Sequence, residues 1–216
     1  MPIECDALLF DLDGVLLDST ECIRNTWKMW GEKHGIPFEK IMAVAHGRRA
    51  VETIQIVAPH LNAEEEAKPL AAWEAVSTEG VYIVEGALPL VSNLPSNGWA
   101  VVTSGTRGIA QARLKATGLP FPKILITAED VVNGKPNPEP YLAASEQMHI
   151  PADKCVVIED SPAGIEAAHK AGMRAVAVAF THPRHELVQA DAIAERIADI
   201  QIADGTELRF AIWVKD

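Results

Sequence analysis

The sequence predicts an α/β protein: an open, doubly wound parallel sheet with a helical cap inserted after its first strand and a β-hairpin at the C-terminal end. Three observations carry this. Short apolar runs alternate with segments of helical composition, the signature of repeated β-α units. About 90 residues separate the first run from the second, far more than an ordinary crossover uses. Towards the end, two strand-like runs flank Asp204-Gly205, a strong short-range hairpin signal.

Taken in order, Ala7-Leu8-Leu9-Phe10 is too short for a buried helix and suits a strand covered on both faces. The long connection after it is helix-compatible over 21–34, 49–57 and 64–77, so it reads as a helical insertion rather than a structureless loop. Within it, Trp27 and Trp30 stand at helical spacing and are expected in the insertion's own core. Gly86 and Pro89 mark the return to the main body. Trp99-Ala100-Val101-Val102, Ile124-Leu125-Ile126, Val156-Val157-Ile158 and Ala175-Val176-Ala177-Val178-Ala179 then continue the sheet. The helical segments 109–117 and 163–171 end near Gly118 and Gly172, as helices closed by a left-handed residue do. The expected division is a core of residues 1–15 and 83–216 and a cap of residues 16–82.

Composition narrows the function classes. With 19 basic and 30 acidic side chains, the formal charge of −11 disfavours binding to nucleic acid or anionic membrane, so an anionic substrate must be met by a local cationic site. The three cysteines are scattered and odd in number, which suggests neither a disulfide framework nor a thiolate zinc site. The histidines other than His46 show no metal-like spacing. The N-terminus has no basic leader-like segment, and no apolar run approaches the roughly 18 residues of a membrane helix. A soluble, unprocessed, cytoplasmic monomer is expected.

The chemistry concentrates at strand ends. Asp11-Leu12-Asp13-Gly14 follows the first strand, where open α/β sheets bind ligands. One carboxylate of such a pair can attack phosphorus, and its neighbour can protonate the leaving alkoxide and later deprotonate water. Facing a phosphate dianion, these acids call for a hard divalent cation with oxygen ligands. Glu159-Asp160 ends another run and supplies further acid, which suits Mg²⁺ better than zinc. Thr103-Ser104-Gly105-Thr106 offers hydroxyls and N–H groups to phosphate oxygens, and Lys135, in Asn133-Gly134-Lys135-Pro136, offers a point charge.

This ordered set, Asp-x-Asp-Gly, Ser-Gly, Gly-Lys-Pro and Glu-Asp-Ser-Pro-Ala-Gly, resembles the four motifs of the haloacid dehalogenase-like hydrolases and extends over the whole chain. The resemblance implies a Rossmann-like catalytic core, with Asp11 as nucleophile and Asp13 as general acid/base. It implies a Mg²⁺ site of Asp11, Asp13 and Asp160 supported by Glu159, and a phosphate site of Ser104, Gly105 and Lys135. The insertion after the first motif is similar to the helical cap of the β-phosphoglucomutase-like branch. Within that branch, His46-Gly47-Arg48-Arg49-Ala50 and Thr103-Ser104-Gly105-Thr106-Arg107 resemble the 2-deoxyglucose-6-phosphate and glycerol phosphatase group. His46, Gly47, Arg48, Arg49, Thr106 and Arg107 are accordingly the expected substrate contacts.

The implied function is hydrolysis of a small phosphorylated sugar or polyol, with a hexose phosphate mutase as the alternative. β-Phosphoglucomutases place a histidine ten residues beyond the second motif aspartate, and Ile23 stands there in this sequence. A phosphate-sensing module without activity would need a broken motif, and Asp11, Asp13, Ser104, Lys135 and Asp160 are all present.

Overall fold

A computed structural model describes residues 2–204 and 210–214. The chain begins with β1 (Ile3–Cys5), β2 (Ala7–Phe10) and β3 (Leu17–Asp18). Four helices follow: α1 (Thr20–His34), α2 (Phe38–Ala45), α3 (Ala50–Val57) and α4 (Ala63–Glu74). After β4 (Tyr82–Ile83) and α5 (Ala87–Ser92), β-α alternation resumes with β5 (Trp99–Val102), α6 (Arg107–Thr117), β6 (Leu125–Ile126), α7 (Glu139–Met148), β7 (Cys155–Glu159), α8 (Pro162–Lys170) and β8 (Arg174–Val178). Strands β9 (Ala192–Ala194), β10 (Ile200–Asp204) and β11 (Phe210–Val214) complete the described chain.

The central sheet has six strands in the order β6-β5-β2-β7-β8-β9, all paired in parallel. Its central strands are apolar on both faces because helices cover both. Leu8, Phe10, Val101, Val156 and Ile158 enter one buried cluster, while Leu9, Ala100, Val102 and Val157 enter the other, the period-two alternation of a pleated strand. Strands β5 and β6 lie to one side of β2, and β7, β8 and β9 to the other. The carboxyl end of β2 is thus the point where strand order reverses, and open sheets hold ligands in the crevice there.

The expected C-terminal hairpin is part of a larger element: β10 and β11 pair antiparallel, and β1 adds to β11 as a third strand. Gly205 of the expected turn lies outside the described residues. Elements too short to show periodicity were not legible, notably the β3–β4 ladder that joins Leu17 to Ile83 and Asp18 to Tyr82 at the two ends of the helical segment.

Helices α1 to α4 bury a cluster of their own, which includes Trp27, Trp30, Ile41, Ile54 and Leu70. The rings of Trp27 and Trp30 meet edge to face at 5.6 Å, so the pair packs the helical body as expected. Cys5, Cys22 and Cys155 are free and buried, and burial pushes the Cys5 thiol up to about 12 and the Cys155 thiol up to about 11. Among the described residues, no helix is long and apolar enough to cross a membrane.

Candidate active site

Parallel pairing sets the carboxyl ends of β5, β2 and β7 side by side, and the segments leaving them converge. Asp11, directly after β2, is 4% exposed. Its Oδ1 accepts a hydrogen bond from Lys135 Nζ at 2.5 Å, and the same ammonium donates to Glu159 Oε1 at 2.7 Å and to the Val102 carbonyl at 3.1 Å. Burial alone would lower the pKa of Lys135. Asp11 and Glu159 outweigh it and hold the ammonium well above its ordinary value.

Glu159 is engaged by the protein on both oxygens. Oε1 also accepts from the Tyr141 hydroxyl at 3.0 Å, while Oε2 takes the Asp160 and Ser161 N–H groups, each at 2.8 Å, and the Ser161 hydroxyl at 2.9 Å. Burial would raise its pKa, but Lys135 and these donors keep it below the usual carboxylate value. Glu159, expected to support the metal site, is placed as the buried counter-ion of Lys135 and the brace of the turn that carries Asp160, with its own oxygens taken up by the protein.

Asp160 itself faces the cavity, with the Thr181 hydroxyl donating to Oδ2. Burial first, then Glu159 and Asp11, pushes its pKa well above the ordinary value. Burial likewise pushes Asp11 up to about 7, with Lys135 opposing and Glu159 adding to the rise. One ammonium among three buried carboxylates leaves negative charge in excess, and Asp11 and Asp160 carry it at the cavity wall. Gly14 allows the close approach. It has φ +90°, and a Cβ there would stand 2.0 Å from Asp160 Oδ2.

Asp13 is held through one oxygen. Its Oδ1 accepts from Ser19 Oγ at 2.6 Å and from Arg113 Nη1 at 2.7 Å. Across the site, Ser104 Oγ donates to the Gly47 carbonyl at 2.8 Å, so the hydroxyl expected at phosphate also meets the helical body. Gly47, at φ +74°, lies so near Ser161 that a Cβ would come within 2.3 Å of its Oγ. Beside it the His46 and His182 rings meet edge to face at 5.4 Å, and burial together with His182 lowers the His46 pKa. The loop of residues 46–49 is thus seated on the core.

The two neighbouring arginines part company. Arg49 Nη2 donates to Glu52 Oε1 at 2.7 Å and to the Val132 carbonyl at 2.9 Å, and Nη1 reaches the Val131 carbonyl at 3.3 Å. Glu52 Oε1 in turn accepts the Gly134 N–H at 2.8 Å, which ties α3 to the segment that carries Lys135. Arg48 lines the cavity, and among the described residues its guanidinium makes no hydrogen bond or ion pair. Of the expected substrate contacts, Arg48 faces the cavity free, whereas Arg49 clamps helical body to core.

In the segment after β5, the Thr106 side chain accepts the Ile109 N–H at 3.4 Å as the N-cap of α6, and Thr106 lines the cavity as well. The Gly105 N–H donates to Thr103 Oγ1 at 3.0 Å. Arg107, also expected among the substrate contacts, does not line the cavity, and its Nη2 donates to both Asp130 oxygens at 2.6 and 2.8 Å. At the start of α6, its long side chain finds the acids of the 3-10 turn Ala128–Asp130 nearer than the site.

The cavity between core and helical body has a volume of about 440 Å³, within the range of small-molecule sites. The motif carboxylates and Ser104 form its floor; Ile23, Trp27 and Leu70 give its roof an apolar part, and Arg48, Lys68 and Glu74 a charged part. Arg113, Glu74, Thr181 and Glu52 were missed in the sequence. Arg113 carried a signal, because it shares the buried face of α6 with Ile109, Ala110 and Leu114, where a cation is out of place. The others follow no motif and meet the site only through tertiary contacts.

Residues 8–178 match the family model for haloacid dehalogenase-like hydrolases. The chain is 35% identical over 209 residues to hexitol phosphatase A of Escherichia coli (strain K12), covering 93% of this chain and 95% of that one. It is 35% identical over 221 residues to glycerol-1-phosphate phosphohydrolase 2 of Saccharomyces cerevisiae, covering 97% and 86%. A crystal structure of a hydrolase from Pseudomonas syringae superposes with a TM-score of 0.81 at 27% identity, covering 89% of this chain and 94% of that one.

Proposed function

The chain belongs to the haloacid dehalogenase-like hydrolases, and on that premise we propose that it is a Mg²⁺-dependent phosphatase of small sugar or polyol phosphates, acting through an aspartyl phosphate on Asp11. The observation that carries the reading is the buried Asp11–Lys135 pair, whose Asp11 lines the cavity between core and helical body together with Asp13, Ser104 and Asp160. An Asp11 oxygen attacks phosphorus, the ester P–O bond breaks, and the departing alkoxide takes a proton from Asp13. Water then attacks the acyl phosphate and gives its proton to Asp13. The P–O bond to Asp11 breaks, which releases inorganic phosphate and regenerates the carboxylate. Lys135 and Ser104 orient the phosphoryl oxygens, and the seated loop of residues 46–49 keeps bulk water from the leaving-group side.

Mg²⁺ fits the donor set. Among the described residues, no three His, Cys, Asp or Glu side chains form a ready metal cage, so the site rests on two carboxylates, Asp11 and Asp160, with the Asp13 carbonyl as a third oxygen. Burial first, and then the neighbouring carboxylates, push both groups upward, and a hard dication with oxygen ligands would offset the crowded negative charge. When bound, Mg²⁺ neutralises phosphate and carboxylate charge together.

A stability measurement tests this without turnover. Asp11 titrates at about 7 in the folded protein and near 4 when unfolded, so the folded state holds the extra proton between those values. Metal-free protein is therefore expected to lose stability as pH rises from about 4 to about 7. Mg²⁺ should raise the melting temperature by more at pH 7.5 than at pH 5. A pH-independent gain, or none, would count against Asp11 and Asp160 as the ligands.

The names of the relatives support polyol and sugar phosphates as the substrate class, and the cavity volume suits them. Arg48→Ala is expected to raise KM for the physiological ester about tenfold or more while leaving a small aryl phosphate within about twofold, because a remote contact serves only substrates that reach it. Equal losses on both would refute recognition by Arg48.

Phosphatase and mutase are separated by product. Hexitol phosphates, glycerol phosphates, 2-deoxyglucose 6-phosphate and hexose 6-phosphates should be assayed with Mg²⁺ and without a bisphosphate activator. Stoichiometric release of phosphate from at least one is expected. Ile23 at the cavity wall, where mutases carry a histidine, favours this outcome. Conversion of β-glucose 1-phosphate to glucose 6-phosphate with little free phosphate would overturn it.

A further inference from the structure

Arg113 lies on α6, outside every motif, and is 1% exposed. Its Nη1 donates to Asp13 Oδ1 at 2.7 Å, and its Nη2 donates to Glu74 Oε2 at 2.6 Å. Asp13 belongs to the turn after β2, whereas Glu74 is the last residue of α4, so one guanidinium grips both the core and the helical body. Its Nε is buried and, among the described residues, accepted by no oxygen or nitrogen, with the Cys22 thiol as the group beside the guanidinium. A buried cation is a poor choice for packing alone, since an apolar residue of similar size usually stabilises a helix face at least as well. The arrangement leaves Asp13 Oδ2 without a hydrogen bond among the described residues, while Ser19 and Arg113 fix Oδ1.

We propose that Arg113 is a positioning residue: it aims the free oxygen of Asp13 at the leaving group and the attacking water, and through Glu74 it makes that aim depend on the seating of the helical body. This rests on Asp13 being the general acid/base of the proposed phosphatase. Both terminal nitrogens of Arg113 are committed to carboxylates, so it acts through Asp13 and Glu74 and not on substrate. A lysine could not replace it, because a single ammonium on a flexible stem does not present a fork to two carboxylates.

The test compares the parent, Arg113→Met, Glu74→Gln, the double variant and Arg113→Lys, on p-nitrophenyl phosphate and on the best polyol phosphate, after thermal melts establish folding. Arg113→Met is expected to lower kcat about 100-fold with KM within about threefold. With the aryl ester it should show a burst of about one nitrophenolate per site, because a good leaving group needs little protonation whereas hydrolysis of the aspartyl phosphate still needs Asp13. Glu74→Gln should lower kcat about tenfold, and the double variant should be no worse than Arg113→Met alone, as coupled residues behave. If Arg113→Met does not fold, Arg113→Lys carries the test, with kcat about tenfold down and the burst retained. A parental kcat in either Arg113 variant, a raised KM with unchanged kcat, or independent multiplication of the Arg113 and Glu74 effects would overturn the positioning role alone. Absence of ester hydrolysis in the parent would instead overturn the proposed function, and this role with it.

Discussion

Asp11→Asn is expected to lower turnover by about 1,000-fold or more on every phosphate ester, while the variant melts no lower than the parent in metal-free buffer above pH 7. The two halves share one cause. The carboxamide is isosteric but not nucleophilic, so the covalent route is closed. The parent's carboxylate is also costly where it sits, because burial and Glu159 push its pKa to about 7 even with Lys135 at 2.5 Å. A neutral side chain removes that cost and eases the repulsion felt by Asp160. Catalytic carboxylates are often kept at the expense of stability in this way. Steady-state assays and calorimetry on the same preparation check both halves. Hydrolysis within tenfold of the parent would exclude Asp11 as the nucleophile.

Lys135→Met should be damaging to fold and function together. Lys135 has no exposed surface and is the buried cation between Asp11 and Glu159. Removing one side of a buried ion pair costs about 3–5 kcal/mol, which in a protein of this size lowers the melting temperature by about 6–20 °C. Turnover should fall about 100-fold or more, since the charge opposing phosphate is lost as well. The deficit has a pH signature. Without the ammonium, Asp11 rises further above its unfolded value and Glu159 loses the main charge that holds it below its own, and a carboxyl raised above its unfolded value loses its stabilising proton as pH increases. The variant should therefore lag the parent most at alkaline pH and recover towards pH 5. Adding Asp11→Asn to Lys135→Met should restore part of the stability and none of the activity. A melting temperature within 2 °C of the parent would be incompatible with the buried network.

The pH dependence of these variants follows from a charge balance that no single motif contains. In the sequence, Glu159 and Asp160 are two adjacent acids, and only the family resemblance separates a ligand, Asp160, from its support, Glu159. In the fold, β7 turns Glu159 inward to Lys135 and Tyr141, while Asp160, one residue further, faces the cavity. Arg48 and Arg49 present the same ambiguity. Both line the cavity, but Glu52 and the carbonyls of Val131 and Val132 occupy the Arg49 guanidinium, whereas that of Arg48 makes no hydrogen bond among the described residues. Arg107 was expected at the site because the Thr103–Arg107 run resembles that of the 2-deoxyglucose-6-phosphate and glycerol phosphatase group, yet helix α6 begins there and sends its side chain towards Asp130.

Local chemistry alone determined the framework of this protein. Apolar runs of strand length, the glycine after α6 and the Asp-x-Asp-Gly and Gly-Lys-Pro segments each act over a few residues, so the parallel sheet, the resemblance to the family and the strand ends that carry Asp11, Asp13, Ser104 and Asp160 were legible from the chain. What the tertiary structure decided is which partner each charge meets. Glu74 and Arg113, or Glu52 and Gly134, are far apart in sequence and meet only because the helical body folds back over the sheet edge. A buried charge must find its counter-charge somewhere in three dimensions, and sequence spacing carries no record of where.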